Sequence, residues 1–168
     1  WKAEFEFLRG CFQSFATISV SHVFEPACGT GRLLHRLADQ GLRISGLDLN
    51  QHAVDYCNQR LARKGFADRV VQGDMSDFQL PAVVDAGFNM INSFRHLLTE
   101  QQAVAHLQCM ARAIKPGGLY VLGIHLTPTA VDPTDSESWS AQRGHLCVVT
   151  ELRCSERNLQ QRTERFTM

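Results

Sequence analysis

The chain has 168 residues, enough for one packed domain and short for two. Hydrophobic residues make up 44% and charged residues 20%, and the mean hydropathy is -0.17, which excludes a disordered or fibrous chain. Lys plus Arg equal Asp plus Glu at 17 each, so no global field draws the protein to nucleic acid or to an anionic membrane.

No apolar run approaches the ~20 residues a bilayer span needs, and no basic-then-apolar leader opens the chain, so a cytoplasmic address is expected. The opening Trp1 and the strand-like close at 162–168 point to a fragment of a longer protein. The six cysteines and seven histidines are scattered, without C-x-x-C, H-E-x-x-H or H-x-x-x-H, and neither a metal nor a disulfide is expected.

In chain order, Phe5, Leu8, Phe12 and Phe15 share one face of an N-terminal helix. A strand at His22 to Phe24 leads into the small-residue turn Pro26-Ala27-Cys28-Gly29-Thr30-Gly31, and Leu33, Leu34 and Leu37 mark a helix that ends near Gly41. A second strand spans Leu42 to Leu49; Asn50 caps a helix striped by Ala53, Val54, Cys57 and Leu61. A third strand, Arg69 to Gln72, precedes Gly73-Asp74-Met75, and a fourth runs from Val83 to Ile91. Thr99 and Gln102 have capping-box spacing for a helix carrying Val104, Leu107, Ala111 and Ile114. Lys115-Pro116-Gly117-Gly118 then turns into a fifth strand, Leu119 to Leu126.

This alternation predicts an α/β fold, an open and mostly parallel sheet with helices on both faces, over residues 1–126. Residues 127–168 change character: a polar surface loop at 127–144, then an antiparallel hairpin from Leu146 to Cys154 and Gln160 to Met168 about a turn at 155–158.

The chemistry concentrates at Glu25-Pro26-Ala27-Cys28-Gly29-Thr30-Gly31, between the first strand and the first sheet helix. Gly29 and Gly31 let the backbone turn tightly and admit a ligand close to the main chain. Asp48, at the end of the second strand, is placed to accept from both hydroxyls of a ribose. Two ligand classes compete for that arrangement. A dinucleotide fingerprint carries a third glycine, and here Leu34 stands in its place.

The pattern Glu-x-x-Cys-Gly-Thr-Gly resembles the first motif of class I S-adenosylmethionine-dependent methyltransferases, a Rossmann-like family, and the resemblance extends over 15–125. It implies that Glu25, Ala27, Cys28, Gly29 and Gly31 lie beside the methionine part of S-adenosyl-L-methionine. Asp48 would bind the ribose and Leu49 would pack near the adenine. Asp74 would accept from the adenine amino group with Met75 next to the ring. The segment 89–93, with Asn92, would border the sulfonium. Ala27 departs from a family position where glycine is common. Glu25 has a bland alternative, pairing with Arg32.

Methyl transfer from a sulfonium requires alignment and exclusion of water rather than a strong acid. A general base helps when the nucleophile is a hydroxyl or a protonated amine, and His96 and His125 fall on the predicted ligand edge as candidates. The expectation is a methyltransferase acting on a small-molecule acceptor, with neither nucleic acid nor membrane as partner. A nicotinamide-dependent oxidoreductase and a non-catalytic cofactor-fold module are the alternatives. The terminal hairpin fits either the last core strands or an accessory segment on the substrate side.

Overall fold

The computed structural model describes residues 2–66, 70–124 and 136–168, and the chain divides into two compact units, Trp1–His125 and Leu126–Met168. In the first unit, five strands pair in the order β3-β2-β1-β4-β5: β1 (His22–Pro26), β2 (Arg43–Asp48), β3 (Val70–Gln72), β4 (Val84–Asn89) and β5 (Ile114–Leu122). All four pairings are parallel. Four helices connect and flank them: α1 (Lys2–Phe15), α2 (Leu34–Asp39), α3 (Gln51–Ala62) and α4 (Glu100–Ala113). The chain runs outward from β1 to β3, then returns to β4 on the other side of β1. That reversal opens a crevice at the carboxyl ends of β1 and β4, where ligands of such sheets bind.

All six residues of β4 are buried, as expected of a central strand covered on both faces. Val23 and Phe24, neighbours on β1, enter different cores because successive side chains point to opposite faces. Val23 joins Leu8, Leu34, Ile44 and Leu61, so α1, α2 and α3 line one core; Phe24 joins Leu47, Met75, Val84 and Met110 of α4 in the other. Each fully buried large side chain contributes roughly 1.5–3 kcal/mol.

The capping signals hold. The Asn50 side chain accepts from the His52 and Ala53 N–H groups, and Thr99 and Gln102 form a reciprocal capping box on α4. Gly41 takes φ +83 beyond α2. On α1 the stripe is Phe5, Leu8, Cys11 and Phe12, while Phe15 is exposed. Periodicity gives the direction a side chain points, not whether anything packs over it at the last residue of a helix. The stripe expected on α4 does not hold: Val104, Leu107 and Ala111 are exposed and Ile114 opens β5. His106, Cys109, Met110 and Ala113 form the buried face, because polar His106 turns inward to bond Met75 O and the Tyr120 hydroxyl.

The Lys115–Gly118 segment, expected as a turn before the fifth strand, is a bulge inside β5. Val84 pairs with Ile114 and Ala86 with Leu119, so the strand absorbs extra residues, with Gly117 at φ +84. The bulge brings Lys115 Nζ 2.6 Å from Asp85 Oδ1. Asp85 Oδ2 accepts from the Ser21 N–H, the Ser21 hydroxyl and the His22 N–H, each at 2.8 Å. This carboxylate clamps the amino-terminal end of β1 to β4 and β5.

The second unit is a three-stranded antiparallel sheet, β6 (Ser136–Arg143), β7 (Leu146–Asn158) and β8 (Thr163–Thr167), rather than a two-stranded hairpin. The expected loop at 127–144 is therefore strand over Ser136–Arg143; residues 127–135 lie outside the described residues. The turn expected at 155–158 belongs to β7, and the reversal falls at 159–162, with Arg162 at φ 55. The polar segment Ser136–Arg143 shows no hydrophobic alternation. Its pairing with β7 over eight residues is made by the backbone, which leaves little trace in side-chain pattern.

Candidate active site

The glycine turn leaves β1 at Pro26. Ala27, Gly29 and Gly31 all take positive φ, at 52, 55 and 70. Ala27 thus occupies a left-handed position that favours glycine, and the departure from the family pattern carries backbone strain of roughly 1–2 kcal/mol. The Cys28 N–H donates to Leu47 O at 3.0 Å and the Gly29 N–H to Asp48 Oδ2 at 2.7 Å, so the turn is bonded to the end of β2. Asp48 Oδ1 accepts from the Asn50 N–H at 2.9 Å. Leu49 beside it is exposed.

Two helices support the turn from beneath. A Cβ on Gly31 would come within 2.3 Å of Cys57 Sγ on α3. Cys28 and Cys57 are both buried, and the influence of each thiol on the other raises the pKa of Cys28 and lowers that of Cys57. His35 Nδ1 lies 2.9 Å from Gly31 O and its Nε2 2.8 Å from the Arg60 guanidinium. A carbonyl only accepts and a guanidinium only donates, so His35 is the neutral Nδ1–H tautomer. Burial lowers its pKa, in keeping with that form.

Leu34, in place of the third dinucleotide glycine, is fully buried, and a Cβ on Gly46 would meet its Cδ1 at 2.9 Å. The close helix-to-strand approach is made by a glycine on β2 instead of one on the helix.

Glu25, the last residue but one of β1, has its side chain buried and Oε2 without a hydrogen-bond partner; burial pushes its carboxyl well above the ordinary carboxylate range. The alternative pairing with Arg32 is not made as a contact. The Arg32 guanidinium is engaged bidentately by Glu4 of α1, at 2.5 and 2.8 Å. At the end of β4, Asn89 donates to Pro26 O at 2.9 Å while its buried Oδ1 also lacks a partner. Two buried side-chain oxygens without hydrogen-bond partners thus stand near the two strand ends that flank the crevice, a chemistry suited to an amino-bearing ligand.

Beyond β4 the chain turns sharply, with Ile91 at φ 54 and Asn92 at φ 60, into a 3-10 turn at Ser93–His96. Positive φ at a β-branched residue marks strain of the kind held at functional sites. His96 is exposed on this turn. Asp74 is exposed, and its Oδ1 accepts from the Ser76 N–H and hydroxyl at 2.7 and 2.8 Å. The Met75 side chain enters the second core and its carbonyl bonds His106 Nδ1 at 2.8 Å. His125 lies outside the described residues. Sequence reasoning missed His35, Cys57 and His106 as supports, because their partners come from elements far apart in the chain.

The profile of a methyltransferase domain matches residues 23–118, more than half of the chain. The chain belongs to that methyltransferase domain family. The expected class, Rossmann-like class I S-adenosylmethionine-dependent methyltransferases, is therefore the right one. Among relatives of this methyltransferase domain is the dTDP-3-amino-3,4,6-trideoxy-alpha-D-glucopyranose N,N-dimethyltransferase of Streptomyces venezuelae. It is 31% identical over 107 residues, which cover 63% of this chain and 43% of the relative. The crystal structure of DesVI from Streptomyces venezuelae superposes with a TM-score of 0.81 at 23% identity, covering 93% of this chain and 64% of that one. The S-adenosylmethionine-bound structure of CalS10, an amino pentose methyltransferase from Micromonospora echinaspora, gives 0.73 at 21% identity, covering 94% and 63%. At these identities the structures show the fold. The domain spans under half the length of the curated relatives it matches.

Proposed function

We propose that this chain is the cofactor-binding portion of an S-adenosylmethionine-dependent methyltransferase whose acceptor is a small molecule, with the amino group of a sugar as the first candidate. The observation that carries this reading is the pair of buried side-chain oxygens without hydrogen-bond partners, Glu25 Oε2 and Asn89 Oδ1, beside the glycine turn at the sheet's reversal point. The amino-sugar candidate draws on the names of its relatives.

Bound there, S-adenosylmethionine supplies an electrophilic methyl on a sulfonium that is also the leaving group. Glu25 and Asn89 accept from the cofactor's ammonium. Asp48 binds the ribose hydroxyls through lone pairs left over from the Gly29 and Asn50 N–H groups, since a carboxylate offers about four acceptor sites. Asp74 and Met75 take the adenine side, with Leu49 against the ring, while Ala27, Cys28 and Gly31 shape the methionine side. Asn92 and its strained turn border the transferring methyl. His96 takes the proton from an ammonium acceptor, and His125 is the second candidate for that task. The six cysteines are all free thiols, which suits a cytoplasmic address. Among the described residues no helix is long and apolar enough to cross a membrane.

Calorimetric titration with S-adenosylmethionine and S-adenosylhomocysteine tests the cofactor, followed by transfer of labelled methyl to a panel of nucleotide-linked amino sugars. Micromolar binding with labelled product is expected. No heat with either ligand at millimolar concentration rejects the reading. Substituting His96 with Asn separates the base role, which is lost if transfer is unchanged.

A further inference from the structure

His106 sits on α4 and is fully buried, yet every polar position of its ring is used. Nδ1 is 2.8 Å from Met75 O and Nε2 is 2.7 Å from the Tyr120 hydroxyl on β5. The carbonyl can only accept, so Nδ1 carries the hydrogen and Nε2 accepts from Tyr120. Burial lowers the pKa of His106 and raises that of Tyr120, so both groups stay neutral and the bonds keep this polarity.

A second contact follows the same direction. Cys109, three residues along α4 and so on the same face, lies with Sγ 3.7 Å from Ser76 O. One helix face therefore grips two successive carbonyls, Met75 and Ser76, of the turn that follows β3. Within that turn, Asp74 Oδ1 accepts from the Ser76 N–H and hydroxyl. The Phe94 ring, from the turn after β4, meets the His106 ring edge-on with centroids 5.5 Å apart. If packing were the whole task of position 106, an apolar side chain would fill it without the cost of burying two polar nitrogens.

We propose that His106 is a positioning residue that sets base specificity: it fixes the Asp74–Met75 turn so that its acceptor recognises the 6-amino group of adenine and rejects a 6-keto oxygen. The inference rests on the cofactor reading above and adds a determinant outside the binding edge. A carboxylate at Asp74 accepts from an amino group but repels a carbonyl oxygen at the same place. The discrimination survives only while the turn is held, because a displacement of about 1 Å takes a hydrogen bond out of its useful range.

The test measures dissociation constants of the full chain for S-adenosylhomocysteine and for S-inosylhomocysteine, with the melting temperature recorded in parallel. The native chain is expected to favour the adenosyl ligand by ~10-fold or more, in line with a polar site that loses its partner. H106L is expected to bring the ratio to within about threefold of unity. Two polar variants keep the test decisive if H106L does not fold. The Asn amide in H106N occupies the place of Nδ1 and can still donate to Met75 O, so it retains most of the ratio. The Gln amide in H106Q occupies the place of Nε2, loses that bond and loses the ratio. A lower melting temperature with an unchanged ratio in H106L, or equal ratios in H106N and H106Q, overturns the proposal. If the native chain binds neither ligand, the cofactor reading fails and the proposal falls with it. If it binds both ligands equally, the cofactor reading stands and this proposal alone is rejected.

Discussion

The Asp48 carboxylate ties the glycine turn to β2: Oδ2 accepts from the Gly29 N–H at 2.7 Å and Oδ1 from the Asn50 N–H at 2.9 Å. The residue expected to read the ribose is also the peg that holds the turn. Asp48→Ala should therefore lower stability as well as affinity, by about 1–3 kcal/mol for two backbone donors left short of a partner. Urea unfolding of the unliganded chain checks this. An unchanged midpoint would show that the peg carries no load.

Ala27 and Gly31 give opposite expectations from the same turn. Ala27→Gly relieves a left-handed φ of 52 and should stabilise by up to about 1 kcal/mol. Gly31→Ala meets two obstacles, a φ of 70 and a contact of 2.3 Å with Cys57 Sγ, and should destabilise by about 1–3 kcal/mol. Adding Cys57→Ala removes the sulfur but not the backbone strain, so the double variant should recover only part of the loss relative to Cys57→Ala alone. Thermal melts of the native chain and the four variants settle both parts.

Asp85 has a pKa held well below the ordinary carboxylate range; against the cost of burial stand the Lys115 ammonium and the Ser21 and His22 donors. A carboxyl whose pKa is lower folded than unfolded contributes stability above its unfolded pKa, about 3.9, and loses it as pH falls. The chain should weaken below about pH 4, and Asp85→Asn should remove this component while costing about 3 kcal/mol at pH 7. Unfolding midpoints from pH 7 down to 3 measure it; a native-like slope in D85N refutes it.

Glu25 works in the other direction. Burial raises its pKa, so the folded chain holds the proton more tightly than the unfolded one. Its contribution is largest below the unfolded pKa, about 4.3, and declines as pH rises through the folded value. Glu25→Gln should make the unliganded chain more stable relative to native as pH rises above about 5. The same change removes an acceptor for a cationic ligand and should weaken S-adenosylhomocysteine binding by ~10-fold or more. Stability unchanged at every pH would show that the carboxyl is not penalised by burial.

The chain sequence alone specified the parallel sheet, its helices and the glycine turn, because each leaves a local mark: apolar stripes, the Asn50 and Thr99 caps, and small residues before a helix. It also placed Asp48 at a strand end. The bulge at Lys115–Gly118 and the pairing of β6 left no comparable mark, since both are made by backbone hydrogen bonds to a distant strand. The exposure of Phe15, the last residue of α1, left no mark in the sequence, where it shares the apolar spacing of Phe5, Leu8 and Phe12. Only the tertiary structure decided that Arg32 engages Glu4 and leaves Glu25 buried with an unpaired oxygen. It alone brought His35 of α2 and Cys57 of α3 beneath Gly31, and His106 of α4 onto Met75. These contacts join residues that are 25 to 31 positions apart where His35 meets Arg60 and His106 meets Met75. Hydrogen bonds of that reach are set by the packing of whole elements, and no local pattern of residues encodes them.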